Sequence, residues 1–328
     1  MFKIFFSKIF CTLILCTIKF CPVSANKNIF FYTTFYSNIY SLFYSIELRF
    51  LKCYTFAGKF SYKTDTVYNN ISLRDCLFKK TISKADVVIY SIGLVREFPR
   101  KGITFQETQF DGVKQTVDIA IECGIKKYVL VSANGAKLDG TKYQSTKYLA
   151  EEYLKHSDLN WTIFRPSLCF GDPRGGGRPE FCTQLKRDML NLPIPSPNFH
   201  TGLMPLNAGK FALSPVHIKN VAEFVVKSIE MESAKNKTFP LGGEAYYWKD
   251  LVQTMAASYG KKKWMVPAPA FGVKMLAFFF ERFSWFPITR DQVTMLVESN
   301  VCESKEHFDS FDIKPIPYNT ETLSYLRN

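Results

Sequence analysis

Residues 126–147 read KKYVLVSANGAKLDGTKYQSTK, and this stretch decides the fold. Its first part, Lys126-Lys-Tyr-Val-Leu-Val-Ser132, is a short apolar run of the kind that forms a buried strand, and it ends in a serine. Its last part opens a helix with Tyr143 and Lys147 at positions i and i+4, which share a helix face. An ammonium held near a phenol favours the phenolate and lowers the tyrosine pKa. A tyrosine tuned in this way can exchange a proton with a substrate alcohol or carbonyl. Ser132, eleven residues before Tyr143, can hold the same oxygen. Ser132, Tyr143 and Lys147 are therefore the candidate catalytic residues. The bland alternatives are a core tyrosine and a helix-surface lysine.

Working outward, the chain alternates strand and helix. Upstream, Ala85-Asp-Val-Val-Ile-Tyr-Ser-Ile-Gly93 is an apolar run closed by glycine, like a buried parallel strand. A helix follows, with Phe110, Val113, Val117, Ala120 and Ile121 on one face and Gly124 at its C-terminal cap. Downstream, the Tyr143–Lys147 helix runs to about His156, and a strand over Trp161–Arg165 stops at Pro166. Strand–helix–strand–helix–strand with short loops predicts an α/β fold with a doubly wound parallel sheet. Ligands of such sheets bind beyond the carboxyl ends of the strands. Ser91, Gly93, Ser132 and Pro166 all stand at such ends and converge on one crevice.

Beyond Pro166 the regularity loosens. Gly171–Pro179 reads as a plain loop, because its glycines do not open a strand-to-helix turn. Asn220 is expected to cap a helix with Val221, Phe224, Val225 and Ile229 inward. Phe239–Gly243 reads as strand and turn, and Trp248–Tyr259 as a helix ended by Gly260. Together they suggest a smaller α/β region on the substrate side. The apolar stretch Phe271–Phe286 is too short and too charged to span a membrane. It is expected to be a core helix packed on the sheet; the alternative is a docking surface for a membrane face, a greasy substrate or a partner.

Bulk composition excludes several classes. The formal charge of the 328 residues is +13, but residues 1–83 hold 11 Lys/Arg against 3 Asp/Glu, leaving 31 against 26 for the remainder. The readable part is only mildly basic and shows no basic stripe, so nucleic acid is not an expected partner. The nine cysteines form no Cys-x-x-Cys pair and the four histidines show no ligand spacing, so no metal site is expected. Scattered cysteines in a chain of this length read as reduced thiols in a reducing compartment.

Residues 1–70 differ in character. They hold one glycine, Gly58, and two acidic residues, Glu47 and Asp65, and no helical or strand period persists. Three readings stand: a secretory signal over Met1–Ala25, a divergent half-domain, or a misread coding frame, the last suggested by a Phe/Lys/Ile/Asn/Tyr bias that A/T-rich codons produce. The expected organisation is an atypical segment over 1–70 that replaces the first βαβ unit, a Rossmann-like domain over 71–200, and a substrate or partner region over 201–328. The expected location is the cytoplasm, with membrane association and a signal-like N-terminus as alternatives.

The motifs ADVVIYSIG, KKYVLVSANGA, YQSTKYLAEEYL, LNWTIFRPSLCFGD, SPVHIKNVA, FPLGG and WFPITRDQVTMLVESN, in this order, resemble the atypical short-chain dehydrogenase/reductase superfamily over about residues 71–305. The branch they look most like is the NmrA-like proteins related to the nucleotide-binding accessory subunit of respiratory complex I. That resemblance implies a Rossmann-like domain binding NAD or NADP. It puts Ser132, Tyr143 and Lys147 in the family's Ser-Tyr-Lys places, with Lys147 also on the nicotinamide ribose. It puts Ser91 and Gly93 along the cofactor cleft, Pro166 and Ser167 near the nicotinamide, and Asp75 towards the adenine, although the motif around Asp75 begins with Ser72 where an aspartate is usual. The family's opening Gly-x-x-Gly-x-x-Gly is missing, since Gly58 stands alone before Gly93. An NAD(P)H-dependent oxidoreductase acting on a small molecule, a nucleotide-binding accessory or assembly protein of a membrane complex, and a remnant that no longer binds cofactor are the three expected functions.

Overall fold

Six parallel strands make the central sheet, and the order in which they pair explains the sequence pattern. The fold is seen in a computed structural model, which describes residues 29–33, 53–57, 79–80, 82–99, 102–173, 180–283, 286 and 288–327. The strands are β1 (Ile29–Thr33), β2 (Cys53–Ala57), β3 (Val87–Tyr90), β4 (Lys127–Val131), β5 (Asn160–Pro166) and, after the strand β6 (Ser196–His200) outside this sheet, β7 (Lys237–Leu241). Their order across the sheet is β7-β5-β4-β3-β1-β2. Helices α1 (Gly112–Glu122) and α2 (Lys142–Lys155) follow β3 and β4, and α3 (Ile218–Ser228) precedes β7.

Alternate residues of each strand enter different cores. Val87, Ile89, Val129, Val131 and Phe164 pack on α3 and on Phe308 and Phe311. Val88, Tyr90, Tyr128, Leu130 and Ile163 pack on the other side with α1 and α2. With both faces of β3 and β4 covered, Val87–Tyr90 and Tyr128–Val131 are apolar throughout, so these runs read as continuous rather than alternating. At the centre of one core, the Phe164 ring lies 6.1 Å from Phe224 and 5.6 Å from Phe239, centroid to centroid. A third core, built round Phe170, Trp248, Leu251 and Met255, underlies the C-terminal region.

No strand is expected within 1–70, yet β1 pairs in parallel with both β2 and β3. IFFYT and CYTFA are aromatic and β-branched, as strands prefer. They stand among flanking residues of the same kind, so periodicity alone does not isolate them. The rest of 1–70 lies outside the described residues.

Two expectations are corrected. Helix α3 starts at Ile218, and His217 caps it, its Nδ1 accepting from the Lys219 N–H at 3.1 Å. Asn220 lies inside the first turn; its amide donates to the Lys314 carbonyl and accepts from the Ile316 N–H, each at 2.9 Å, which ties down the C-terminal tail. A tail 94 residues away outcompetes the local cap that asparagine usually makes. Second, the apolar helix α5 (Ala270–Phe280), which follows α4 (Trp248–Ser258) and β8 (Met265–Pro269), is not a core helix. Ala270 and Ala277 are its buried residues, and its phenylalanines face solvent. Small residues let the helix lie close on the protein while the large ones point outward.

Burial, with Lys219 adding to it, lowers the His217 pKa to about 4. The neutral ring is the native form, so its stabilisation is complete above pH 6.5 and is lost as pH falls towards 4. Urea unfolding should show a loss of up to about 3 kcal/mol from this residue between neutral pH and pH ~4. His217→Asn, which keeps a capping acceptor, should unfold with that part of the pH dependence removed.

Candidate functional site

The residues expected to line the crevice stand at the carboxyl ends of β3, β4 and β5. Beyond β3 come Ser91, buried, and Gly93, half-buried; beyond β4 comes Ser132, buried; β5 ends at Pro166, followed by Ser167. Adjacent parallel strands in register bring these ends side by side, with Tyr90 opposite Leu130 and Val131 opposite Phe164. The Ser132 N–H donates to the Phe164 carbonyl and the Asn134 N–H to the Pro166 carbonyl, so the β4 exit continues along β5. The Ser132 hydroxyl oxygen is buried and has no protein partner.

Helix α2 is started by Thr141. Its hydroxyl accepts from the Gln144 N–H while the Gln144 side chain accepts from the Thr141 N–H, a reciprocal cap that fixes the first turn. This turn carries Tyr143, and Lys147 stands one turn further on. The Lys147 ammonium is buried and donates to the carbonyls of Ile92 at 3.0 Å and Val131 at 3.2 Å, joining the ends of β3 and β4. One more turn along, the fully buried Glu151 takes the Arg165 guanidinium through Nε at 3.0 and 3.1 Å. That hydrogen bond raises the Arg165 pKa and pins α2 to β5.

The expected electrostatics of Tyr143 are corrected. Its pKa is raised, not lowered: burial of the phenol is the main cause and the Cys169 thiol the second. The ring meets Phe105 edge-on at 5.7 Å. Tyr143 is therefore a neutral phenol at physiological pH, with its proton in place. Sequence spacing puts a phenol and an ammonium on one face but does not reveal that carbonyls engage the ammonium.

Ser167 does not point freely into the crevice. Its hydroxyl donates to the Asn300 carbonyl at 2.8 Å. Asn300 belongs to a crossing segment that lies outside the expected site residues. The Asn134 amide donates to Asn300 Oδ1 at 2.6 Å, and the Gln144 amide donates to Glu298 at 3.1 Å. Lys137 pairs with the same Glu298 carboxylate. The signal was present: Glu298-Ser-Asn300 closes the last of the seven motifs, and Asn134 lies within the second. Asp75 lies outside the described residues. Among the described residues no cluster of three or more His, Cys, Asp or Glu side chains is placed to hold a metal ion.

Residues 75–186 match the family model described as NAD(P)H-binding. The match spans β3 to β5 and all three candidate catalytic residues. Solved structures agree on the fold. UDP-glucuronic acid 4-epimerase from Bacillus cereus, determined with UDP-glucuronic acid and NAD, aligns at 14% identity over 96% of this chain and 94% of its own, with a TM-score of 0.61. A double mutant of DesIV, the dTDP-glucose 4,6-dehydratase of Streptomyces venezuelae with NAD bound, aligns at 11% identity over 96% and 90%, also at 0.61. A nucleoside-diphosphate-sugar epimerase from Staphylococcus aureus aligns at 14% identity over 77% and 80%, at 0.57. At such identities the likeness is one of fold: a Rossmann-like parallel sheet. No curated protein matches the sequence.

Proposed function

We propose that this chain is an NAD(P)H-dependent oxidoreductase of the short-chain dehydrogenase/reductase type, reducing a small carbonyl substrate. The observation that carries the reading is the pair at the crevice floor: a buried, unpartnered Ser132 hydroxyl beside a strand end that the Lys147 ammonium also reaches. An orphaned buried hydroxyl costs stability and is tolerated where a ligand satisfies it. When bound, the nicotinamide cofactor supplies hydride. Ser132 holds the substrate oxygen, Tyr143 donates its proton to that oxygen, and Lys147 lends positive charge to the site and to the ribose. Ser91, Gly93 and Pro166 line the cleft, and Ser167 buttresses it through Asn300. Burial keeps the Tyr143 phenol protonated, so the proton is on the residue that this reading assigns to donate it.

The nicotinamide end thus fits the residues present. The pyrophosphate end fits less well: residues 34–52, which join β1 to β2, contain no glycine. A Rossmann turn normally places glycines there so that the backbone can approach the phosphates. This favours a second reading, in which the nucleotide is held weakly or structurally and the protein serves as an accessory or assembly factor of a membrane complex. The tail motif that resembles the complex I accessory subunit speaks for the same reading. Turnover separates the two. The purified chain should oxidise NADH or NADPH with members of a panel of aldehydes and ketones; a chain that binds the nucleotide but turns over none of them supports the accessory role.

A further inference from the structure

Helix α5 leaves its large side chains in water. Phe271 and Phe278 are each 58% exposed, and Met275 and Phe279 are exposed to a similar degree. Monomeric proteins rarely carry a contiguous apolar patch of this kind without something to cover it. The strand leading into the helix begins beside Trp264, 82% exposed, which follows Lys261-Lys-Lys263. Between 261 and 283 stand five basic residues and one acid, Glu281, a net +4. Glu281 is itself paired with Arg290 at 2.8 Å.

We propose that this segment seats the protein on the surface of an anionic lipid bilayer. The helix has 11 residues and is therefore about 16 Å long, roughly half the hydrocarbon thickness. No helix among the described residues is long and apolar enough to cross a membrane. The helix would lie in the interface, its alanine side on the protein and its phenylalanines in the acyl boundary. Trp264 and the lysines suit the headgroup level, where indoles and long cations place an apolar body and a polar end. Charge decides between candidate occupants. A second copy of this chain on a two-fold axis would set the +4 patch against itself, whereas an anionic leaflet attracts each added cation. The Arg96 guanidinium donates to the carbonyls of Glu281, Phe283 and Phe286 at 2.6–3.1 Å. It fastens the end of the helix to the segment that follows β3, so the docked face and the crevice keep a fixed relation.

Vesicle flotation of the full chain tests this. The wild type should float with phosphatidylcholine vesicles containing phosphatidylserine, and salt should weaken that binding. Phe278→Ser/Phe279→Ser changes exposed residues, so folding, checked by thermal unfolding, should be kept. That variant should bind at least about tenfold more weakly, as expected for losing buried apolar area. Lys261→Glu/Lys262→Glu should weaken binding to the anionic vesicles and leave the salt dependence shallower. Flotation that the phenylalanine variant does not change would overturn the proposal, since another part of the chain would then be responsible. So would absence of flotation together with self-association, seen by sedimentation, that the same phenylalanine substitutions abolish.

Discussion

Tyr143→Phe is expected to lower turnover by about 10²–10⁴-fold while leaving nucleotide affinity nearly unchanged. The phenol contributes a proton, and the phenyl ring preserves the packing against Phe105. Because burial raises the Tyr143 pKa above its ordinary value of 10, the donating form persists throughout the neutral range. The wild-type rate of carbonyl reduction should therefore show no tyrosine ionisation limb below pH ~10. Unchanged turnover in the variant would remove Tyr143 from the chemistry. A limb near neutral pH that vanishes in the variant would show instead that bound nucleotide or the lysine shifts the phenol downward.

Glu151→Ala should be the most damaging single change to stability at the site, costing about 3–5 kcal/mol in denaturant unfolding. The carboxylate is fully buried and the guanidinium it holds is largely enclosed, with the Arg165 side chain 24% exposed. Removing the acid leaves that cation with poor solvation; removing both charges does not. Glu151→Leu/Arg165→Met should therefore recover most of the loss, a result that a simple count of lost hydrogen bonds does not anticipate. Glu151 stands on the same helix face as Tyr143 and Lys147, so the single variant should also loosen nucleotide binding, and the double variant should restore it. Equal damage in the single and double variants would mean that the pair's own attraction, not the stranded charge, holds α2 in place.

Much of this was legible in the sequence. The strand before Ser132 was readable because both cores cover β4, leaving Tyr128–Val131 continuously apolar, and the helix carrying Tyr143 and Lys147 was readable from its spacing. The crossing segment was harder. Asn134 meets Asn300 across 166 positions, and a pairing at that distance leaves no local period. Asn220 left its expected capping part for the same reason, because its deciding partner was the distant tail. The apolar run in α5 gave its composition but not its orientation. Two buried alanines, rather than the phenylalanines, set which side faces the protein. The Tyr143 pKa was missed in sign because spacing shows which groups share a face but not how deeply the phenol is buried.

The most direct test of the central claim is nucleotide binding by the full chain, followed by calorimetric titration with NADH and NADPH, beside Lys147→Met. Saturable binding of one or both, weakened at least about tenfold by the lysine substitution, is the expected result. The lysine variant must unfold cooperatively, like the wild type, for the comparison to hold. A folded wild-type chain that takes up neither nucleotide at millimolar concentration would contradict the account and leave a Rossmann-like sheet without its ligand.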